Sequence, residues 1–119
     1  MDLKSNVLIV DDQEGIREFL AEVCGIMGFQ AIEAASGEAA LKILEENDFQ
    51  AAFIDLSMPG LDGYTILQRA IHKNPQLAAF LMSGYDRDEI KEQAVRIGAK
   101  GVLAKPFDLS EIMTLLETL

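Results

Sequence analysis

A single cysteine, Cys24, stands in the 119 residues, so no disulfide can close within the chain. A reducing compartment is the expectation. Cys24 falls on an apolar helical stripe and reads as a buried structural thiol, because free cysteine packs as a small hydrophobe. No apolar run reaches the ~18 residues needed to span a bilayer. The first residues, Met1 to Asn6, are polar and carry no signal-peptide hydrophobic stretch, so a cytoplasmic location and no membrane contact are expected. Basic residues are also scarce: 10 Lys and Arg stand against 20 Asp and Glu, a formal net charge of −10. That balance argues against direct binding to a nucleic-acid backbone, which clustered Lys and Arg recognise, and a basic partner surface is the better mate. Internal repeats, low-complexity segments and linkers are absent, and one domain over residues 1–119 is expected.

What is present is a set of apolar strands, four of which stop at a polar residue. Val7-Leu8-Ile9-Val10 runs into Asp11-Asp12, and Ala51-Ala52-Phe53-Ile54 runs into Asp55. Ala78-Ala79-Phe80-Leu81-Met82 runs into Ser83, and Val102-Leu103-Ala104 runs into Lys105-Pro106. An Asp pair after a strand is, taken alone, an ordinary turn or helix cap, and Ser-Gly or Lys-Pro alone says little. Four such ends in order point instead to one site, since ligands of open parallel sheets bind outside the carboxyl ends of the strands.

Helical patterns separate these strands. Ile16, Phe19, Leu20, Val23, Cys24 and Met27 share one face of a first helix, and Gly28 is placed to stop it. Gln30 to Ala34 is short and half apolar, so it reads as a weak or edge strand. Ser36 can cap a second helix from Gly37 to about Glu46, closed by Asn47-Asp48. The loop after Asp55 leads to a third helix from about Tyr64 to Lys73, ended by Asn74-Pro75. Asp86 can cap a fourth through Ile97, stopped by Gly98. Asp108 or Ser110 begins a fifth, with Leu109, Ile112, Met113 and Leu116 on one face. Strands alternating with helices five times imply right-handed βαβ units and a parallel sheet covered on both faces, an α/β fold.

The chemistry of the strand ends is coherent. Asp11, Asp12 and Asp55 repel one another unless protonated or neutralised by a cation. An all-oxygen set suits Mg²⁺ or Ca²⁺, and Mg²⁺ keeps several waters beside one or two carboxylates and a phosphate. Lys105 adds a fixed positive charge and Ser83 a hydroxyl donor. A carboxylate nucleophile, a divalent cation, an ammonium and a hydroxyl match phosphoryl transfer, where positioning and charge neutralisation dominate.

With these residues in hand, the chain resembles the receiver domain of two-component response regulators over essentially its whole length. The resemblance rests on Val-Leu-Ile-Val-Asp11-Asp12, on Ile54-Asp55-Leu-Ser-Met-Pro-Gly-Leu-Asp-Gly63, on Leu-Met-Ser83-Gly and on Ala-Lys105-Pro106-Phe107. It implies a flavodoxin-like, doubly wound (βα)5 fold with five parallel strands in the order 2-1-3-4-5. It implies that Asp55 is the phosphoacceptor of a signalling switch in a phosphorelay, attacking the phosphohistidine of a histidine kinase or histidine phosphotransfer protein. Asp12, Asp55 and the backbone carbonyl of Ser57 resemble the Mg²⁺ ligands (Mn²⁺ being able to substitute), with Asp11 acting through a coordinated water. Ser83 and Lys105 would each hold a phosphoryl oxygen, and the Lys105-Pro106 bond would be cis. Such a domain catalyses only its own phosphorylation and dephosphorylation and is no enzyme in the ordinary sense. The exposed side of the first helix near Glu14, Arg17 and Glu18 would help dock the kinase. The fourth helix and fifth strand would carry the conformational change, and the face of the fourth helix, fifth strand and fifth helix would offer a surface for homodimerisation.

One position departs from the pattern. Val102 stands where many receivers carry an aromatic ring that turns inward on phosphorylation, and Tyr85 is the candidate substitute. Ser-Gly-Tyr here is similar to receivers that are fused to sensor kinases or stand alone. His72 reads as a solvated surface residue, and Asp86, Asp88, Glu89 and Glu92 as a solvated helix face. A phosphohydrolase of the haloacid-dehalogenase kind fits poorly, since its nucleophile and acid share one strand with one residue between them. The other reading of the same residues is a degenerate receiver that binds proteins without regard to phosphorylation.

Overall fold

The structure, a computed structural model, describes residues 6–84 and 88–119. Five strands alternate with five helices: β1 (Asn6–Val10), α1 (Glu14–Ile26), β2 (Gln30–Ala34), α2 (Gly37–Glu46), β3 (Ala51–Asp55), α3 (Gly63–Lys73), β4 (Ala78–Ser83), α4 (Asp88–Ile97), β5 (Gly101–Ala104) and α5 (Leu109–Glu117). All neighbouring strands pair in parallel, in the order β2-β1-β3-β4-β5. The flavodoxin-like arrangement expected from the resemblance is therefore the one found.

Side chains alternate across each strand, and both faces are covered. Val7, Ile9, Phe53, Phe80 and Met82 pack with Leu20, Val23 and Cys24 of α1 and with Ile112 and Leu116 of α5. Leu8, Val10, Ile54 and Leu81 face the other way, onto Leu44 of α2, Ile66 and Leu67 of α3 and Ala94 of α4. Burial on both sides is why β1 and β3 read as continuous apolar runs. Phe53 and Phe80 stack at 5.4 Å between ring centroids in the middle of the sheet. Strand β2 lies at the edge and is half exposed, as its mixed sequence led one to expect.

The helix ends follow their local chemistry. Ser36 accepts from the Ala39 amide at the start of α2, and Asp62 accepts from the Thr65 amide at the start of α3. Helix α5 opens with a capping box between Asp108 and Glu111. Gly28 and Gly98 follow α1 and α4 at φ of 90° and 126°, a region where a side chain is strained. One detail differs from expectation. Leu109 does not share the buried face of Ile112 and Leu116 but stands 48% exposed. It is the first residue of a helix that starts at the carboxyl edge of the sheet, so its side chain meets the rim and not the core. Tyr85, proposed as a substitute aromatic, and Asp86, proposed as the α4 cap, lie outside the described residues.

The register aligns the carboxyl ends of the inner strands. Val10 pairs with Ala34 and Ile54, Asp55 with Met82, and Ser83 with Ala104. The residues that follow these pairs are consequently brought to one edge of the sheet. The chain also reverses its winding direction between β1 and β3, which opens a crevice there.

Candidate functional site

Asp11 and Asp55 face each other across that crevice, and both are buried. Asp11 is held on three sides. Its own amide donates to Ala34 O at 3.1 Å, its Oδ1 accepts from the Gln13 amide at 2.9 Å, and its Oδ2 meets Lys105 Nζ at 2.7 Å. Asp55 Oδ1 accepts from the Ser57 amide at 3.1 Å, and Asp55 Oδ2 lies 3.4 Å from the same Lys105 Nζ. One ammonium thus bridges two carboxylates that arrive from different strands.

The loops that carry these groups are fixed by their neighbours. The Leu56 amide donates to Met82 O at 2.9 Å, and Met58 is buried in the core cluster, so the segment after Asp55 is anchored at both steps. The Lys105 amide donates to Ser83 O at 2.7 Å, which ties the ends of β4 and β5 together. The Lys105–Pro106 peptide is cis, as the resemblance implied. Ser83 is fully buried beside them.

Asp12 is exposed, and its carboxylate completes the cluster: one oxygen from each of Asp11, Asp12 and Asp55 lies within 4.8 Å of the other two. An octahedral Mg²⁺ holds oxygens at about 2.1 Å, so its ligands stand roughly 3–4 Å apart. The three carboxylates fit around such an ion with little movement. The charges fit as well, because three carboxylates against one ammonium leave two negative charges uncompensated. A divalent cation restores the balance. Asp12, Gln13, Asp55, Ser57, Gly84 and Lys105 line an open cleft of about 500 Å³ above this cluster.

The Asp55 carboxyl is held above its ordinary pKa of 3.8. Burial is the main cause, and the charge of Asp11 acts in the same direction. The Ser57 amide and the Lys105 ammonium oppose it without cancelling it. A carboxylate that resists ionisation on its own is one that a nearby cation stabilises strongly.

The structure brings together Asp11, Asp12, Asp55, Ser83 and Lys105, every residue singled out at the strand ends, and with them Ser57, which the resemblance added. His72 is exposed at the last turn of α3, which leads into the start of β4 and not to the carboxyl end where the site lies. Arg17 behaves differently from expectation. It does not project from the exposed side of α1 but folds back, its side chain only 16% exposed, to donate from Nη1 to Asp11 O at 2.8 Å and to pair through Nε with Glu33 at 3.4 Å. A long side chain can reach six residues back, past the start of its helix into the preceding turn, which helical periodicity does not reveal. Gln13 and Gly63 were also missed. Gln13 is the residue after the acidic doublet, where a backbone amide naturally closes a turn on an Asp. Gly63 matters through its lack of a side chain.

Residues 7–117 match the response regulator receiver domain family. The chain is 36% identical to sporulation initiation phosphotransferase F of Bacillus subtilis over 110 residues, covering 92% of this chain and 89% of that one. It spans only 24–27% of the length of several other relatives. Among solved structures, a response regulator protein from Burkholderia pseudomallei, with a phosphorylated aspartic acid, a calcium ion and citrate, superposes with a TM-score of 0.88. It is 27% identical, and the match covers 97% of this chain and 68% of that one. The CheX–CheY–BeF3–Mg²⁺ complex from Borrelia burgdorferi gives a TM-score of 0.87 at 26% identity, covering 95% and 87%.

Proposed function

The chain belongs to the response regulator receiver domain family, and from that membership we propose that it is a phosphoacceptor switch in a phosphorelay, with Asp55 taking the phosphoryl group. The observation that carries the reading is the pair of contacts from Lys105 Nζ to Asp11 and Asp55, set beside a carboxylate trio spaced for one cation. The donor is a phosphohistidine of a histidine kinase or phosphotransfer protein, or a small acyl phosphate.

An Asp55 carboxylate oxygen attacks phosphorus in line with the leaving group. An O–P bond forms as the donor's N–P bond breaks, and the electron pair returns to the imidazole, which takes a proton from water. Lys105, already between the two carboxylates, pairs with one phosphoryl oxygen, and the Ser83 hydroxyl donates to another. Asp12, Asp55 and the Ser57 carbonyl would hold Mg²⁺, with Asp11 acting through a coordinated water, and the ion would supply neutralisation of charge on the phosphoryl oxygens. The Gln13 and Ser57 amides fix the two buried carboxylates, of which Asp55 lines the cleft. Phosphorylation draws Ser83 and Lys105 toward the new group, and because their backbones are bonded to each other, β4 and β5 respond together. Val102 is half-buried against the core and has no ring to reorient, so the shift is carried by these strand ends.

Incubation with acetyl phosphate and Mg²⁺ should add one phosphoryl group, read by intact mass, and chelation should stop it. Asp55→Asn should abolish the labelling. Undiminished labelling of that variant overturns the assignment.

A further inference from the structure

The cation site has a weak point in its geometry. Asp11 and Asp55 are buried and each is held by an amide and by Lys105, whereas Asp12 is exposed and, among the described residues, no hydrogen bond holds its carboxylate. The place of Asp12 is therefore set by its backbone alone. Among the described residues, one side chain tethers that backbone from outside the turn. Arg17 Nη1 donates to Asp11 O, the carbonyl of the peptide that joins Asp11 to Asp12, at 2.8 Å. Rotation of that peptide swings the Asp12 carboxylate toward or away from Asp55.

Arg17 is itself braced. Its Nε pairs with Glu33 of β2 at 3.4 Å, and β2 is bonded to the same turn through the Asp11 amide and Ala34 O. Glu33 sits in register with Ile9, two residues before the doublet. The guanidinium links helix, turn and edge strand through two of its nitrogens, which suits a fork with several donors and not a point charge.

We infer that Arg17, oriented by Glu33, is a positioning residue of the cation site: it locks the Asp11–Asp12 peptide and so sets the affinity for a divalent ion. The inference rests on the reading of Asp12 and Asp55 as metal ligands. Groups that orient metal ligands from behind typically change affinity by about 10–100-fold when lost.

The test is a Mg²⁺ titration of the full chain, followed by the backbone NMR signals of Gln13 and Ser57, alongside urea unfolding in EDTA. Arg17→Met should weaken Mg²⁺ by roughly tenfold or more. Arg17→Lys should fall between, since an ammonium reaches one of the two acceptors. Glu33→Met should weaken binding less, and should add nothing in the Arg17→Met background. Arg69→Met, which removes the same charge from the exposed side of α3, should leave the affinity as it was. Acetyl phosphate labelling of Arg17→Met should recover at saturating Mg²⁺. A merely structural arginine predicts lower urea stability with an unchanged affinity. Affinities within about twofold of wild type for Arg17→Lys and Glu33→Met overturn the inference even if Arg17→Met fails to fold. If the wild-type signals themselves do not move with Mg²⁺, the metal-ligand reading falls and takes this one with it.

Discussion

Gly63 packs against the backbone of Asp55 so closely that a Cβ built on it would stand 2.9 Å from Asp55 O and 2.8 Å from Leu56 Cα. Those neighbours are main-chain atoms at the end of β3, with no flexible side chain to yield. The first residue of α3 thus leans on the residue whose carboxylate sits at the centre of the site.

Gly63→Ala should therefore destabilise the fold, against the ordinary rule that alanine stabilises a helix by up to about 1 kcal/mol over glycine. Overpacking of this kind typically costs about 1–3 kcal/mol. Because the backbone displaced belongs to Asp55 and Leu56, the rate of acetyl phosphate labelling should drop more than the stability loss alone explains. Urea unfolding and labelling kinetics on the same preparation check both. A stabilised, fully active variant would show that the close approach relaxes at no cost.

Lys105 and Asp11 form a pair in which Asp11 is wholly buried and the lysine side chain 17% exposed. Removing one partner of such a pair leaves the other charge uncompensated. Lys105→Met should cost about 3 kcal/mol, the low end for buried pairs because the lysine keeps some solvent. Asp11→Asn in that background should return part of the loss, giving a coupling of roughly 1 kcal/mol or more in a double-mutant cycle. Additive effects would mean that the 2.7 Å contact contributes little in solution.

The strand ends were legible because parallel strands buried on both faces advertise themselves as apolar runs, and the first polar residue after each run marks the edge of the sheet. Asp11, Asp55, Ser83 and Lys105 were found that way, and Ser36 and Gly28 marked helix ends by their own turn chemistry. Arg17 was not legible, because periodicity assigns a residue to a face but says nothing of where a long side chain reaches. Gly63 was hidden for a related reason: its part is a distance to another segment, and no local pattern encodes that. Leu109 shows the converse failure, an apolar residue correctly spaced for the core that lies one turn too early, at the rim.

Cys24 is fully buried, and burial pushes its thiol up to about 11. The thiolate is the reactive form, so native protein near neutral pH should resist maleimide or disulfide reagents for as long as it stays folded. Labelling should follow global unfolding and accelerate with urea along the unfolding transition. Rapid modification under native conditions would reveal a local opening of α1 away from the sheet.

The raised pKa of Asp55 makes a stability prediction whose sign can be worked out. In the window above the ordinary value of 3.8, the native state holds a proton that the unfolded chain has released. Stability then falls as pH rises through that window, and the loss persists at neutral pH. Asp55→Asn removes this titration. Without divalent cations, the variant should be more stable than wild type at pH 7, and the difference between them should shrink on acidification toward pH 4. Mg²⁺ should reverse the order of effects: it stabilises any state that binds it in proportion to RT ln(1 + [Mg²⁺]/Kd), so wild type should gain more than the variant as the ion is added. Urea midpoints across pH, with EDTA and with excess Mg²⁺, measure both differences. A wild-type protein that is equally stable with and without the ion, and never less stable than Asp55→Asn, would show that the buried carboxylate cluster is not held in readiness for a cation.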